Sequence, residues 1–441
     1  MTDNRIKVID SYMGSGKTSY AIQYINSLPA EINVIYITPY LEEVNRIIAA
    51  CVDREFKQPD ARSGQGSKLR HLIQLVNKRI NIVSTHALFM NINDELINAL
   101  RINDYILILD EVFQTVNHYD IVGGKTKKEV KEEITKQDVN TLLKTNLIKV
   151  EKDFRVSWND HDEYLSQYEG MIEMMNRGLI YFVNGSLLLW SFPIEVFRPG
   201  IFREIYILTY RFESQLQYYY YKYFDLQYTK YIVRKYDSTR AYYIEENDGT
   251  DEEWKQQIKK CIDVVENEKL NKIGDVYYDY MNRPIKSTLS KTWYEKNPDM
   301  LPVMRRNLDN FFKNVSKSRS EQRLWTCFKD DIGKIRSKNV SAKQWLASNA
   351  RATNNYINTD VVAYLINKYV DPFYIAFFAS KDIVIDQDEF ALSEMLQWVF
   401  RSAIREGKPI QLYVPSERMR TLLYQFLNNE KIEFTGSKRI V

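Results

Sequence analysis

Ile6-Lys7-Val8-Ile9-Asp10-Ser11-Tyr12-Met13-Gly14-Ser15-Gly16-Lys17-Thr18-Ser19 is the stretch on which the reading of this 441-residue chain turns. A short apolar run enters a loop of small residues, and a Lys-Thr pair then opens an amphipathic stretch, the strand, loop and helix order of a phosphate-binding loop. Small residues let backbone N–H groups turn inward around phosphates, and the helix that follows aims the positive end of its dipole at them. Met13, Gly14, Ser15, Gly16, Lys17, Thr18 and Ser19 are therefore the expected phosphate contacts. Lys17 would reach the terminal phosphates and the Thr18 hydroxyl would ligate Mg²⁺, so ATP and Mg²⁺ are the expected cofactors. One departure is Ser11, which stands where the motif's shorthand has its first Gly.

Downstream, Ile106-Leu107-Ile108-Leu109-Asp110-Glu111 is an apolar run ending in two carboxylates, as expected of a buried strand whose carboxyl end emerges at the nucleotide. Asp110 would hold Mg²⁺ through water, and Glu111 would polarise the attacking water. Transfer to a substrate hydroxyl needs no such Glu, so hydrolysis is the expected chemistry.

Around these motifs, short apolar runs alternate with longer amphipathic ones, the pattern of a parallel sheet flanked by helices. Strands are expected at residues 6–10, 34–38, 80–84, 105–110, 179–183 and 204–209, and helices at 17–27, 41–51 and 67–77, with a solvated helical excursion at 124–146. The fold class is α/β, with a first lobe over 1–212 and a second over 213–441. Within the second, strands are expected at 374–378, 383–385 and 410–414 and a helix at 391–405. A basic helical insertion is expected at 286–343, where Trp293, Tyr294, Phe311, Phe312 and Trp325 interleave with Lys and Arg. Rings for stacking and cations for phosphates would suit a single strand, but a charged helical face packed through its aromatics reads identically.

With 61 basic and 58 acidic residues the net charge is +3, too balanced to argue for nucleic acid from totals. Hydrophobic residues make up 44%, and no apolar run approaches the ~20 residues of a membrane span, so a soluble, cytoplasmic protein with no membrane partner is expected. Cys51, Cys261 and Cys327 show neither disulfide nor zinc spacing. Oligomerisation beyond a monomer or weak oligomer has no signal.

Val34-Ile35-Tyr36-Ile37-Thr38-Pro39-Tyr40 ends in a Thr-Pro turn before a helix, and here the sequence resembles superfamily 2 helicases. The resemblance implies two RecA-like lobes, with Thr38 and Pro39 holding a backbone phosphate of the tracked strand. Thr85 and His86 are similar to the next nucleic-acid motif, and Ile207-Leu208-Thr209-Tyr210 occupies the place of motif III. Asn349-Ala350-Arg351-Ala352-Thr353-Asn354 resembles motif V by order, with Arg351, Thr353 and Asn354 as strand contacts; a plain helix cap is its competitor. Near the C-terminus, Gln397, Arg401 and Arg405 fall at four-residue steps, one face of a helix. They look like motif VI, which implies guanidinium groups facing the γ-phosphate, with Arg405 as the finger and Arg401 as its partner. The final stretch, with Pro415, Ser416, Arg418 and Arg420, resembles helicase-like proteins of tailed bacteriophages. The implied function is an ATP-dependent helicase or translocase on single-stranded or forked DNA, or on RNA, in phage replication or recombination with replication proteins as partners. Two other readings stand beside it, a terminase-like packaging ATPase and a nucleotide-gated DNA-binding loader that unwinds nothing.

Overall fold

A computed structural model of the chain describes residues 5–119, 136–159, 165–185, 187–236, 239, 241–246, 251–350 and 355–436. It divides into two compact units, the first formed by residues 1–11, 16–246 and 371–385 and the second by 12–15, 247–370 and 386–441. The expected boundary after residue 212 falls instead after residue 246, because two more strands are added to the first sheet before the chain leaves it.

In chain order the first unit begins with β1 (Ile6–Asp10), β2 (Val34–Thr38), β3 (Phe56–Lys57), β4 (Asn81–Thr85) and β5 (Tyr105–Asp110). An excursion follows, with β6 (Val116–His118), the hairpin of β7 (Ile148–Val150) and β8 (Val156–Trp158), then β9 (Ile180–Val183) and β10 (Leu187–Ser191). The chain returns as β11 (Phe202–Thr209), β12 (Thr229–Lys235) and β13 (Tyr242–Glu246). The main sheet has the order β13-β12-β1-β11-β5-β2-β4-β3, every pairing parallel except that of β12 with β13. β2 and β5 are buried along their whole length, which is why both read as continuous apolar runs. Ile9, Tyr36, Ile106, Ile108 and Leu208 pack with Ala21 and Ile25 of helix α1 (Lys17–Ser27) and with Val44 and Ile47 of the helix Leu41–Ala50.

Three expectations change in this unit. The segment expected as a main-sheet strand at 179–183 is β9, which pairs antiparallel with β10 in a separate sheet of order β6-β10-β9. Asn184 and Gly185, both at positive φ (53° and 70°), turn the chain straight back and so rule out a crossover. The strand expected at 374–378 is the helix Pro372–Ala379, and 383–385 forms no strand. Asp371 caps that helix by accepting the Phe373 amide at 2.9 Å, and Pro372 holds its first position. Its apolar residues are needed for packing: Phe377 stacks on Tyr223 at 4.4 Å and meets Tyr181 edge-on at 5.2 Å. Of the excursion expected at 124–146, only residues 136–146 lie among the described residues, and they form the helix Lys136–Lys144 and the turn after it.

The second unit contains β14 (Ile262–Val264), the short hairpin of β15 (Tyr277–Tyr278) and β16 (Pro284–Ile285), then β17 (Arg323–Thr326), β18 (Val361–Tyr364) and β19 (Ile410–Tyr413). Its sheet is parallel, in the order β14-β19-β18-β17. The segment 286–343 is not an insertion, since it supplies β17 and much of this unit's core. Tyr294, Phe311, Phe312 and Trp325 are fully buried there, so the packed reading holds for them, while Trp293 lies partly buried against the same cluster. Several of its cations are likewise engaged internally: Arg323 donates to the Asn339 carbonyl at 2.9 Å, and Lys291 pairs with Asp330 at 2.8 Å.

Candidate nucleotide site

Five polar residues align along one edge of the main sheet. The register sets Asp10 beside Thr209, Leu208 beside Asp110, and Thr38 beside Thr85, so strands β1, β11, β5, β2 and β4 all end there. Ligands of open α/β sheets bind outside the carboxyl ends of the strands, where loop backbone can be aimed at them.

The loop after β1 has the expected backbone. Gly14 and Gly16 sit at φ 85° and 97°, which residues with a Cβ adopt only under strain. Tyr20 donates its amide to the Gly16 carbonyl at 2.8 Å, beginning α1. Lys17 Nζ donates to the Ser11 carbonyl at 2.5 Å, which folds the side chain back over the loop. Thr18 is half-buried. Ser11, the departure from the motif, has a local reason: its hydroxyl accepts the Val233 amide at 2.8 Å and ties the start of the loop to β12. Asp10 closes the other side, accepting the amides of Arg211 and Phe212 at 2.7 and 3.0 Å. Burial raises its pKa, against the opposing pull of Lys230 and these two amides.

Asp110 ends β5 with its carboxylate buried. Burial, reinforced by the neighbouring Glu111 charge, lifts its pKa to about 6, while a hydrogen bond from Tyr36 Oη at 3.0 Å opposes the shift. Glu111 follows at φ 67°, its amide donating to the Leu208 carbonyl at 2.9 Å. A non-glycine residue held there costs on the order of 1–3 kcal/mol, and such strain gathers at functional sites. Its Oε2 is buried without a hydrogen-bond partner, as is Ser15 Oγ in the loop. Orphaned polar atoms are rare in folded proteins, and an acceptor at Glu111 with a donor at Ser15 is what water and phosphate respectively would satisfy. With two glycines in the left-handed region, the residues present thus fit Mg²⁺ and a polyphosphate.

The remaining expected residues fall in different settings. Thr38 is fully buried with Oγ1 unpartnered, and Pro39 is half-buried beside it. Thr85 Oγ1 accepts the Leu88 amide at 3.4 Å and caps the helix His86–Phe89; the His86 Nε2 lies 3.0 Å from the Asp110 carbonyl and braces the acidic strand end. Arg351, Thr353 and Asn354 lie outside the described residues. Gln397, Arg401 and Arg405 do not share a helical face. Their helix, Gln387–Val399, stops short of both arginines because Ser402 donates its hydroxyl to the Val399 carbonyl at 2.7 Å and runs extended. Gln397 and Arg401 are buried, Gln397 donating to Ser393 Oγ at 3.2 Å, and Arg405 sits in the short turn Ala403–Glu406. Sequence reading missed three contributors on the sheet edge. Tyr36 and Asp10 look like ordinary strand residues, and Gln215, which donates to Thr209 Oγ1 at 3.0 Å, carries no motif.

A mainly parallel α/β protein with a phosphate-loop turn after its first strand is what fold and site define. The chain is 37% identical over 437 residues to the SPbeta prophage-derived uncharacterized protein YonV of Bacillus subtilis (strain 168), covering 97% of this chain and 100% of that one. It belongs to the YonV family. Residues 129–190 match the YonV middle domain and 256–427 the YonV C-terminal Rossmann-like domain. Among solved structures, an apo XPD is similar with a TM-score of 0.49 and 13% identity, covering 99% of this chain and 97% of that one. S. tokodaii Xpd4 follows at a TM-score of 0.47 and 12% identity, covering 97% of this chain and 94% of that one. Among the described residues no helix is long and apolar enough to cross a membrane.

Proposed function

We propose that the chain is an ATP-hydrolysing motor that works on nucleic acid as a helicase or translocase, with DNA as the favoured strand. One observation carries the reading: the phosphate loop after β1 and the Asp110-Glu111 pair after β5 share one sheet edge with a single strand, β11, between them. At about 4.8 Å per strand the two lie roughly 10 Å apart, room for a terminal phosphate and an attacking water.

Lys17 is assigned to the terminal phosphates, and the loop amides to the rest of the chain of phosphates. Thr18 and, through water, Asp110 would hold Mg²⁺, which supplies neutralisation of phosphate charge when bound. Glu111 orients and deprotonates the attacking water, a task suited to a carboxylate whose buried Oε2 has no other partner. Thr38 and Pro39, two strands from β11 on the same edge, are the assigned strand-backbone contact. A relative is prophage-derived, and we assign the motor to phage DNA replication or recombination on that setting and on the motor reading together.

The test is ATP hydrolysis by the wild-type chain and by Lys17→Ala, with and without single-stranded DNA and RNA, followed by unwinding of forked, 3′-tailed and 5′-tailed duplexes. Wild-type turnover should rise severalfold with a strand present, and Lys17→Ala should show none. Turnover indifferent to every nucleic acid would remove the motor and leave a bare ATPase.

A further inference from the structure

We propose that Tyr242 is the shelf on which the nucleobase of the bound triphosphate lies, an inference that rests on the nucleotide-binding reading above and extends it to the base. A triphosphate has a direction. Its terminal phosphate must face the acidic pair after β5, so its nucleoside must leave the loop on the side of β1 away from β5. On that side the sheet continues as β12 and β13.

β12 runs parallel to β1, so its carboxyl end, Lys235, lies at the phosphate-loop edge; the antiparallel β13 starts at that edge with Tyr242 opposite Lys235. The ring reaches the loop itself. A Cβ added to Gly16 would run into it, with Tyr242 Cδ1 at 2.8 Å and Cζ at 2.9 Å. Gly16 is thus required twice, for its positive φ and for the ring above it. The strand carrying the ring is fastened to the nucleotide helix, because the Tyr242 amide donates to Gln23 Oε1 on α1 at 2.8 Å. Beneath, Ile244 and Tyr231 pack on the core cluster that also holds Ala21 and Ile25 of α1.

The half-buried ring is therefore preset beside the loop at no further ordering cost. Stacking reads the π-face that every base shares and not the hydrogen-bonding edge that distinguishes them. Tyr242 would accordingly give affinity without strong choice among bases.

Binding of ATP, GTP and inorganic tripolyphosphate, each with Mg²⁺, to the wild type and to Tyr242→Ala, Tyr242→Leu and Tyr242→Trp tests this. The base-free tripolyphosphate separates a shelf for the base from support of the loop. Tyr242→Ala and Tyr242→Leu should each weaken ATP and GTP by roughly tenfold, the order expected of one stacked base, and leave tripolyphosphate unchanged. Tyr242→Trp should bind both nucleotides like the wild type. Leu keeps an apolar cover on Gly16, so it carries the test if the Ala variant does not fold. Equal losses for ATP and tripolyphosphate, or no loss for either, would overturn the shelf and leave the loop assignment standing. A wild type that binds none of the three would instead overturn the nucleotide reading itself.

Discussion

Each unit buries a group of polar side chains, and the two groups are built on opposite terms. In the second unit Arg418 is 2% exposed and every face of its guanidinium is answered. Nε donates to Asp388 at 2.7 Å, Nη1 to Asn367 and the Lys368 carbonyl at 2.9 and 2.8 Å, and Nη2 to the Gln387 carbonyl at 2.8 Å, with the Tyr369 ring 4.2 Å away. Asn367 passes the network on to the carbonyls of Lys286 and Thr288. At the sheet edge of the first unit, by contrast, Glu111 Oε2 and Thr38 Oγ1 are buried and unanswered, and Asp110 is held near half-ionisation at a pH of about 6. A completed network fixes a fold; an incomplete one at the mouth of a sheet is stability given up for a ligand.

The sharpest way to break this contrast is Glu111→Gln. Loss of a general base should lower turnover by about 100- to 10,000-fold while ATP still binds, and thermal stability should hold, because no internal bond is lost. A melting temperature that fell in step with activity would make Glu111 a brace like Arg418. Arg418→Ala should do the reverse, costing about 3–5 kcal/mol in denaturant unfolding by stranding Asp388 and Asn367, with ATP affinity of the folded protein unchanged.

Asp110→Asn tests the middle ground through pH. Its folded pKa is raised above the ordinary 3.8, so the contribution it makes when protonated is complete below about pH 4 and lost as pH rises through about 6. Without metal, the Asn variant should therefore be more stable than wild type at pH 7.5, by on the order of 2 kcal/mol, and no more stable at pH 4. Pairwise unfolding curves at the two pH values in chelator check this. Tyr36→Phe should have the smallest effect, about 1 kcal/mol of stability. It should also move the Asp110 transition to higher pH, since the Tyr36 bond is what holds that pKa down, and following the Asp110 carboxyl by NMR would read the move.

Much of the first unit was legible in the chain. β1, β2, β5 and α1 match their expected bounds because each is a compact run whose period is clear, and Asp110-Glu111 ends its strand as read. An apolar run misleads where it can serve either of two elements. Phe373 to Phe378 is rich enough in rings for a strand, and only the Asp371-Pro372 start marks it as a helix. Leu179 to Val183 looked like one more strand of the parallel sheet, although the Asn184-Gly185 turn behind it announces a hairpin. Four-residue spacing placed Gln397, Arg401 and Arg405 on one face, yet spacing says nothing about where a helix stops, and Ser402 stops it.

The sequence by itself determined the phosphate loop, the acidic pair and the α/β class, because each depends on backbone geometry or periodicity written in consecutive residues. Only the tertiary structure decided that β11 separates the loop from the acids, that β12 and β13 extend the same sheet, and that Tyr242 comes to rest on Gly16. Those are choices among strand partners far apart in the chain. They are settled by which long-range pairing buries the most apolar surface while leaving no backbone group unpaired, and no local pattern carries that information.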